Sequence, residues 1–241
     1  MKRMILVDAG NIAVKAVLFE SGRFTRRWKF ETKGDPAAAI DRLVETEPDG
    51  LAYSSVVPAW TEALRSVREK GLVGGMVEAG HRSDLPFALS VDEPERVGPD
   101  RLCAAAGAWA EGSREAVVVD AGTAVTVDLL SGGSFRGGSI FPGLELLAGT
   151  LHGGTALLPL IGGRPAEGAP PGRSTYEAIA TGIGWGLVGA VKELVSRMLP
   201  EGGDLWVTGG GGEFLVSRLD RPARLDPDLV FKGLLPMLSR A

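Results

Sequence analysis

A short acidic turn occurs twice in this chain, the second copy 112 positions after the first. Residues 5–18 read Ile-Leu-Val-Asp-Ala-Gly-Asn-Ile-Ala-Val-Lys-Ala-Val-Leu, and residues 117–130 read Val-Val-Val-Asp-Ala-Gly-Thr-Ala-Val-Thr-Val-Asp-Leu-Leu. Laid over each other, Asp8 meets Asp120, Gly10 meets Gly122 and Asn11 meets Thr123. In each copy a β-branched apolar run breaks at Asp-Ala-Gly and resumes, which reads as two strands joined by a tight turn where Gly tolerates φ > 0. One Asp-x-Gly alone is an ordinary hairpin turn. Two copies nearly half of a 241-residue chain apart imply a duplicated fold with a cleft between its halves.

Such a turn leaves backbone N–H groups open, and with the side chains of Asn11 and Thr123 these can donate to phosphate oxygens. The neighbouring carboxylate repels phosphate unless a cation stands between them. Asp8 and Asp120 therefore read together as holders of Mg²⁺ or another cation on a nucleotide. Net charge is −4 and the pI about 5.4, which disfavours nucleic acid as a partner. A single cysteine, Cys103, excludes an intramolecular disulfide. No uninterrupted apolar stretch approaches the ~20 residues that span a bilayer, and the Met-Lys-Arg-Met start lacks a signal-peptide core. The expectation is a cytoplasmic protein with no membrane partner. His81 and His152 are too far apart in sequence to suggest a metal site by spacing.

Along the chain, Arg23 to Glu31 predicts a third strand with a solvated basic edge. Pro36 to Thr46 predicts a helix capped by Asp35, Leu51 to Val57 a strand ending at Pro58, and Trp60 to Lys70 a second amphipathic helix. Leu85 to Val91 reads as a strand before an acidic surface loop. After Val97-Gly-Pro-Asp-Arg101 the run from Leu102 to Ala110 is small, apolar and helix-forming, suited to packing closely against another backbone. Asp100 also fits an ordinary helix N-cap.

In the second half, Gly132 to Ser139 predicts a strand and Leu144 starts a helix. Gly162 to Arg173, rich in Gly and Pro, reads as a loop and a candidate mobile cover. Ser174 and Glu177 form a capping box for a helix to about Met198, in which Ala178, Gly182, Gly186 and Gly189 are spaced for another helix to approach. Thr175 is also simply a helix residue. A strand at Asp204 to Thr208 runs into Gly209 to Gly212 and a helix near Glu213, a place where backbone can lie flat on a ligand. Asp226 is placed to cap a terminal helix to Arg240 with Leu229, Leu234, Leu235 and Leu238 inward.

The order of these stretches resembles the acetate and sugar kinase, Hsp70 and actin superfamily, and within it the type III pantothenate kinases. The matching segments are Asp8-Ala-Gly-Asn11, Ser54-Ser-Val-Val-Pro58, Gly98-Pro-Asp-Arg101, Asp120 to Thr126 with Asp128, Gly137 to Gly143, Thr175 to Gly182 and Thr208-Gly-Gly210. The resemblance implies an α/β fold of duplicated ribonuclease H-like (actin-like ATPase) domains, each a mixed sheet flanked by helices, with halves at 1–112 and 113–241. It implies ATP-dependent phosphorylation of pantothenate, the first step towards coenzyme A, and a homodimer with the small-residue helix after Asp100 near the partner.

By position it makes Asp100 the general base, and Gly98, Pro99, Asp100, Arg101 and Thr175 the pantothenate contacts. Asp8, Ala9, Gly10, Asn11, Ile12, Ala13, Val14 and Lys15 would form the first phosphate loop, Thr123 would bind ATP, and Gly209 and Gly210 would flank adenosine. Asp120 would hold the monovalent cation, potassium or ammonium, and Asp8 Mg²⁺. Two positions depart from the family pattern: Ile12 stands where a hydroxyl residue is usual, and Val91 where a tyrosine is frequent. Two other readings remain: a catalytically weak regulatory binding protein of the Bvg accessory factor type, and a phosphatase of the exopolyphosphatase type. The Gly98 to Arg101 and Thr175 motifs disfavour the phosphatase. A DNA-binding regulator would want a basic stripe, against the net charge of −4.

Overall fold

Both acidic turns are hairpins. In this computed structural model, which describes residues 3–162 and 168–238, Met4–Ala9 (β1) pairs antiparallel with Ala13–Glu20 (β2), and Ala116–Ala121 (β7) with Ala124–Ser131 (β8). The chain divides into two compact units. The first takes in Met1–Arg114, Gly132–Gly137 and Asp228–Ala241, the second Glu115–Ser131 and Gly138–Pro227.

In the first unit, Arg23–Glu31 (β3), Gly50–Ser55 (β4) and Gly75–Glu78 (β5) complete a sheet of order β3-β2-β1-β4-β5. β1, β2 and β3 are antiparallel neighbours, whereas β4 and β5 run parallel to β1. Ile5, Leu6 and Val7 are buried on both faces of the sheet because helices cover each side. Pro36–Val44 (α1) and Pro58–Glu69 (α2) pack their Ile40, Leu43, Trp60 and Leu64 against Ile5, Val7, Val14 and Ala16. Asp35 caps α1 through the Ala37 N–H, as its position predicts. Pro58 begins α2 instead of closing the strand, since the first helical position needs no N–H. β5 was not expected. The Leu85 to Val91 segment contributes only the two-residue Ala88–Leu89 (β6), which pairs with Ser134 and Phe135.

Pro99–Ala110 (α3) lies against Leu229–Leu238 (α7). A Cβ on Gly107 would strike the Leu229 carbonyl, and one on Gly233 the Cys103 carbonyl, so the helices meet backbone to backbone. The expectation that the small residues of α3 pack closely against another backbone is met by α7: Leu102 to Ala106 and Ala108 are at most 2% exposed. α7 begins at Leu229, so Asp228 stands at the position before it, while the Asp226 N–H pairs with the Val207 carbonyl. Asp228 immediately precedes α7 and takes a bidentate ion pair from Arg27 (2.6 and 2.7 Å), so Arg27 is not part of a purely solvated edge. Leu229 and Leu234 are buried, while Leu235 and Leu238 are half-buried; Arg240 lies outside the described residues.

The second unit repeats the plan. Ser134–Pro142 (β9, whose first residues belong to the first unit), Asp204–Thr208 (β10) and Arg224–Leu225 (β11) give the order β9-β8-β7-β10-β11, the counterpart of β3-β2-β1-β4-β5. Leu144–Gly153 (α4), Thr175–Met198 (α5) and Gly212–Val216 (α6) follow the expected order. Ser174 accepts from the Glu177 N–H, and the Glu177 carboxylate reaches the N–H of Arg173, closing a capping box one residue early. By length and composition alone α5 is long and apolar enough to cross a membrane, although Glu177, Lys192, Glu193 and Arg197 interrupt its apolar run. Its buried stripe, including Leu187, Val188, Val191 and Val195, packs on Val117, Val125 and Val127, as the core helix of a folded unit. Among the described residues the glycines at 182, 186 and 189 meet no other helix: a Cβ at each would find open space. Of the expected cover at 162–173, residues 163–167 lie outside the described residues.

Candidate active site

In the first unit, Asp8 sits half-buried at the end of β1. The turn after it is pinned by Gly10 N–H to Ala13 O (3.2 Å), Val56 N–H to Ala9 O (3.1 Å) and Thr32 Oγ1 to Gly10 O (2.7 Å). Asn11 and Ile12 are exposed at its tip, whereas Ala9 and Val14 face the core, so these two can offer a ligand only backbone. Lys15 stands directly opposite Asp8 across the hairpin, and Ser54 on β4 flanks Asp8 on the other side. All three side chains therefore share one sheet face.

Gly98, not Asp100, is the N-cap of α3. Asp100 follows Pro99 in the first turn, where its Oδ1 accepts from the Arg101 N–H (2.9 Å). Burial raises the pKa of the Asp100 carboxyl above the usual aspartate range; the Arg101 N–H and guanidinium oppose that shift without cancelling it. The Arg101 guanidinium lies 5.6 Å from the centre of the Phe135 ring, which steadies it. One turn further along α3 the buried Cys103 thiol is pushed up by desolvation and then by the charges of Asp8 and Asp100. Both carboxylates thus lie within electrostatic reach of one buried sulfur. β1 and the start of α3 deliver them to the same corner of the unit.

In the second unit, Asp120 ends β7 as Asp8 ends β1, and Thr208 flanks it across β10 as Ser54 flanks Asp8. Gly209 has φ +85°, and a Cβ there would strike Asp120 Oδ1, so only glycine lets the strand end close on this carboxylate. Gly210 is exposed, with open space above it. Thr123 is half-buried in the turn, its carbonyl accepting from the Gly143 N–H (2.8 Å). α6 has five residues, too few for the macrodipole expected after the glycine run to add much. Thr175 lies at the exposed start of α5, on the rim of an open apolar groove of about 970 Å³ walled by Phe141, Leu147, Leu151, Leu158 and Ile183. Among the described residues no three His, Cys, Asp or Glu side chains cluster as a metal cage. His152 Nδ1 is engaged with the Leu158 carbonyl (2.9 Å).

A family model for type III pantothenate kinases matches residues 4–197. The chain belongs to that family. Among curated relatives, the type III pantothenate kinase of Halorhodospira halophila is 36% identical over 96% of each chain, and that of Acidiphilium cryptum 32% identical over 95% of this chain and 92% of its own. Solved structures share the fold. A candidate Baf family transcriptional activator from Campylobacter jejuni superposes with a TM-score of 0.67 at 22% identity, covering 98% of both chains. Component A of (R)-2-hydroxyglutaryl-CoA dehydratase from Acidaminococcus fermentans gives 0.57 at 14%, covering 100% and 98%. In this type III pantothenate kinase family member the duplicated ribonuclease H-like fold implied by the resemblance is present.

The sequence did not single out the hydroxyl beside each acidic strand end. Ser54 and Thr208 lie in segments that matched the family pattern, but their place next to Asp8 and Asp120 comes from strand pairings across crossovers that no local motif encodes. Val91, which replaces the frequent tyrosine, packs beside Gly137.

Proposed function

We propose that this kinase family member phosphorylates the terminal hydroxyl of pantothenate with ATP, giving 4'-phosphopantothenate and ADP, the first step of coenzyme A biosynthesis. The observation that carries the reading is that α3, with Asp100 in its first turn, packs on β4, the strand paired with the β1 that carries Asp8, and that burial raises the pKa of the Asp100 carboxyl. A carboxylate whose pKa is raised by burial is a better proton acceptor than an ordinary one. In the proposed step the pantothenate oxygen attacks the γ-phosphorus, its proton passes to Asp100, and ADP leaves with the bridging oxygen. Catalysis of this kind is mostly positioning and charge neutralisation.

Gly98, Pro99 and Arg101 hold pantothenate beside Asp100, and Thr175 contacts it from the start of α5. The turn from Asp8 through Lys15 carries phosphate through backbone N–H groups, Asn11 and the Lys15 ammonium. Thr123 contacts ATP, and Gly209 and Gly210 adenosine. Mg²⁺ commonly takes one or two carboxylates together with substrate phosphates, so the half-buried Asp8 beside an open turn fits it without a cage. Bound there it would supply neutralisation of phosphate charge. Asp120, whose Oδ1 faces the Gly209 backbone, is the carboxylate for potassium or ammonium. The chain acts in the cytoplasm as a homodimer. The exposed Leu146, Leu151, Leu157, Leu160, Tyr176 and Trp185 around α4 and the start of α5 are the face a second copy would cover.

The test is an assay with ATP, Mg²⁺ and labelled pantothenate, in potassium and in sodium. Product in potassium that disappears with Asp100→Asn is expected. No product in any salt would refute the kinase reading and favour a non-catalytic binder.

A further inference from the structure

Thr32 follows directly on β3 and takes no part in any motif, yet it makes three hydrogen bonds around the first acidic turn. Its hydroxyl donates to the Gly10 carbonyl (2.7 Å), its N–H to the Ile12 carbonyl (3.4 Å), and its own carbonyl accepts from Trp60 Nε1 (3.0 Å). Trp60 is wholly buried at the start of α2, so Thr32 is anchored to the core of the unit.

The Gly10 carbonyl and the Asn11 N–H belong to one planar trans peptide and point in opposite directions. With the carbonyl turned onto Thr32, the Asn11 N–H is turned the other way. Among the described residues, the N–H groups of Asn11 and Ile12 donate to nothing, and both side chains are exposed. Ile12 has no hydroxyl, so this turn has one donor fewer for an anion than a Ser or Thr would give it. Its capacity to hold phosphate rests all the more on the direction of its backbone N–H groups.

We propose that Thr32 is a positioning residue for the phosphate turn: its hydroxyl fixes the Gly10–Asn11 peptide so that the Asn11 N–H faces the nucleotide. The assignment rests on the kinase reading above and adds to it a residue that touches neither substrate. A neutral hydrogen bond of this kind is worth roughly a factor of two to ten in the equilibrium it controls.

The experiment compares ATP affinity by calorimetry, the KM values for ATP and for pantothenate, and thermal stability in wild type, Thr32→Val, Thr32→Ala and Thr32→Ser. We expect Thr32→Val and Thr32→Ala to weaken ATP binding and raise the KM for ATP about five-fold, with the KM for pantothenate unchanged, as expected for loss of one neutral hydrogen bond. Thr32→Ser keeps the hydroxyl and should stay within about two-fold of wild type. Wild-type ATP affinity in both hydroxyl-free variants would overturn the proposal. So would a rise in both KM values, accompanied by lost stability, that serine does not reverse. A wild-type chain that binds no ATP would overturn the kinase reading and this assignment with it, whereas ATP binding insensitive to Thr32 overturns only the assignment.

Discussion

Cys103 lies one turn of α3 beyond Asp100, and its buried thiol feels the charge of that carboxylate together with the charge of Asp8. Two acids from segments some ninety residues apart are thereby brought to one unit, and burial raises the pKa of Asp100. The cost of that burial has a sign that can be measured.

Asp100→Asn should lower kcat by about 10²- to 10⁴-fold, the usual loss on removing a positioned general base. The same change should leave the melting temperature at neutral pH unchanged or higher. A folded pKa raised above the unfolded value stabilises the fold below the unfolded pKa, and that contribution is lost as pH rises through the folded pKa. Asparagine stays neutral and keeps an oxygen for the Arg101 N–H. In wild type, kcat/KM should fall as pH drops through the raised Asp100 pKa, so its acid limb should lie above the ordinary aspartate value. A pH–rate profile and a melting curve for each protein check both statements.

Gly209→Ala should damage the second unit at its acidic strand end. Alanine at φ +85° costs about 1 kcal/mol on backbone grounds, and its methyl would displace the Asp120 carboxylate. A melting temperature lower by roughly 2–4 °C is expected for that backbone penalty in a chain of this size. Activation by potassium should weaken more than the KM for pantothenate. Titration of activity with potassium chloride at constant ionic strength reads the effect.

Gly233→Ala places a methyl against the Cys103 carbonyl, where α3 and α7 touch backbone to backbone. Overpacking of this sort destabilises by about 1–3 kcal/mol. Because α3 carries Asp100, kcat should fall along with stability, and urea unfolding next to a rate measurement would show the two losses together. An unchanged urea midpoint would mean that the helices can separate without cost.

Leu157 is 92% exposed and Leu160 60%, an unusual placement for leucine unless another surface covers them. If the proposed dimer uses this face, wild type should run as a dimer in light scattering and the double variant Leu157→Glu with Leu160→Glu as a monomer. A double variant that still dimerises would move the interface to another face.

Much of this molecule was legible in the chain itself, wherever a few consecutive residues settle the geometry. The two Asp-Ala-Gly hairpins, the Asp35 cap of α1, the Ser174 cap of α5 and the strand at Arg23–Glu31 are local events, decided by turn chemistry, side-chain alternation and capping. The duplication was legible too, because both copies kept the same local pattern at the same place in the fold.

Tertiary structure alone decided which residues stand beside the acids. Ser54 reaches Asp8, and Thr208 reaches Asp120, through parallel pairings whose register depends on how helices pack over crossovers. The small residues of α3 announced a close backbone contact without naming α7 as its partner, while the glycines of α5, read as a seat for a helix, lie open among the described residues. Periodicity shows that a face is made for close contact, but which element fills it is set by the competition among all buried surfaces of the folded chain.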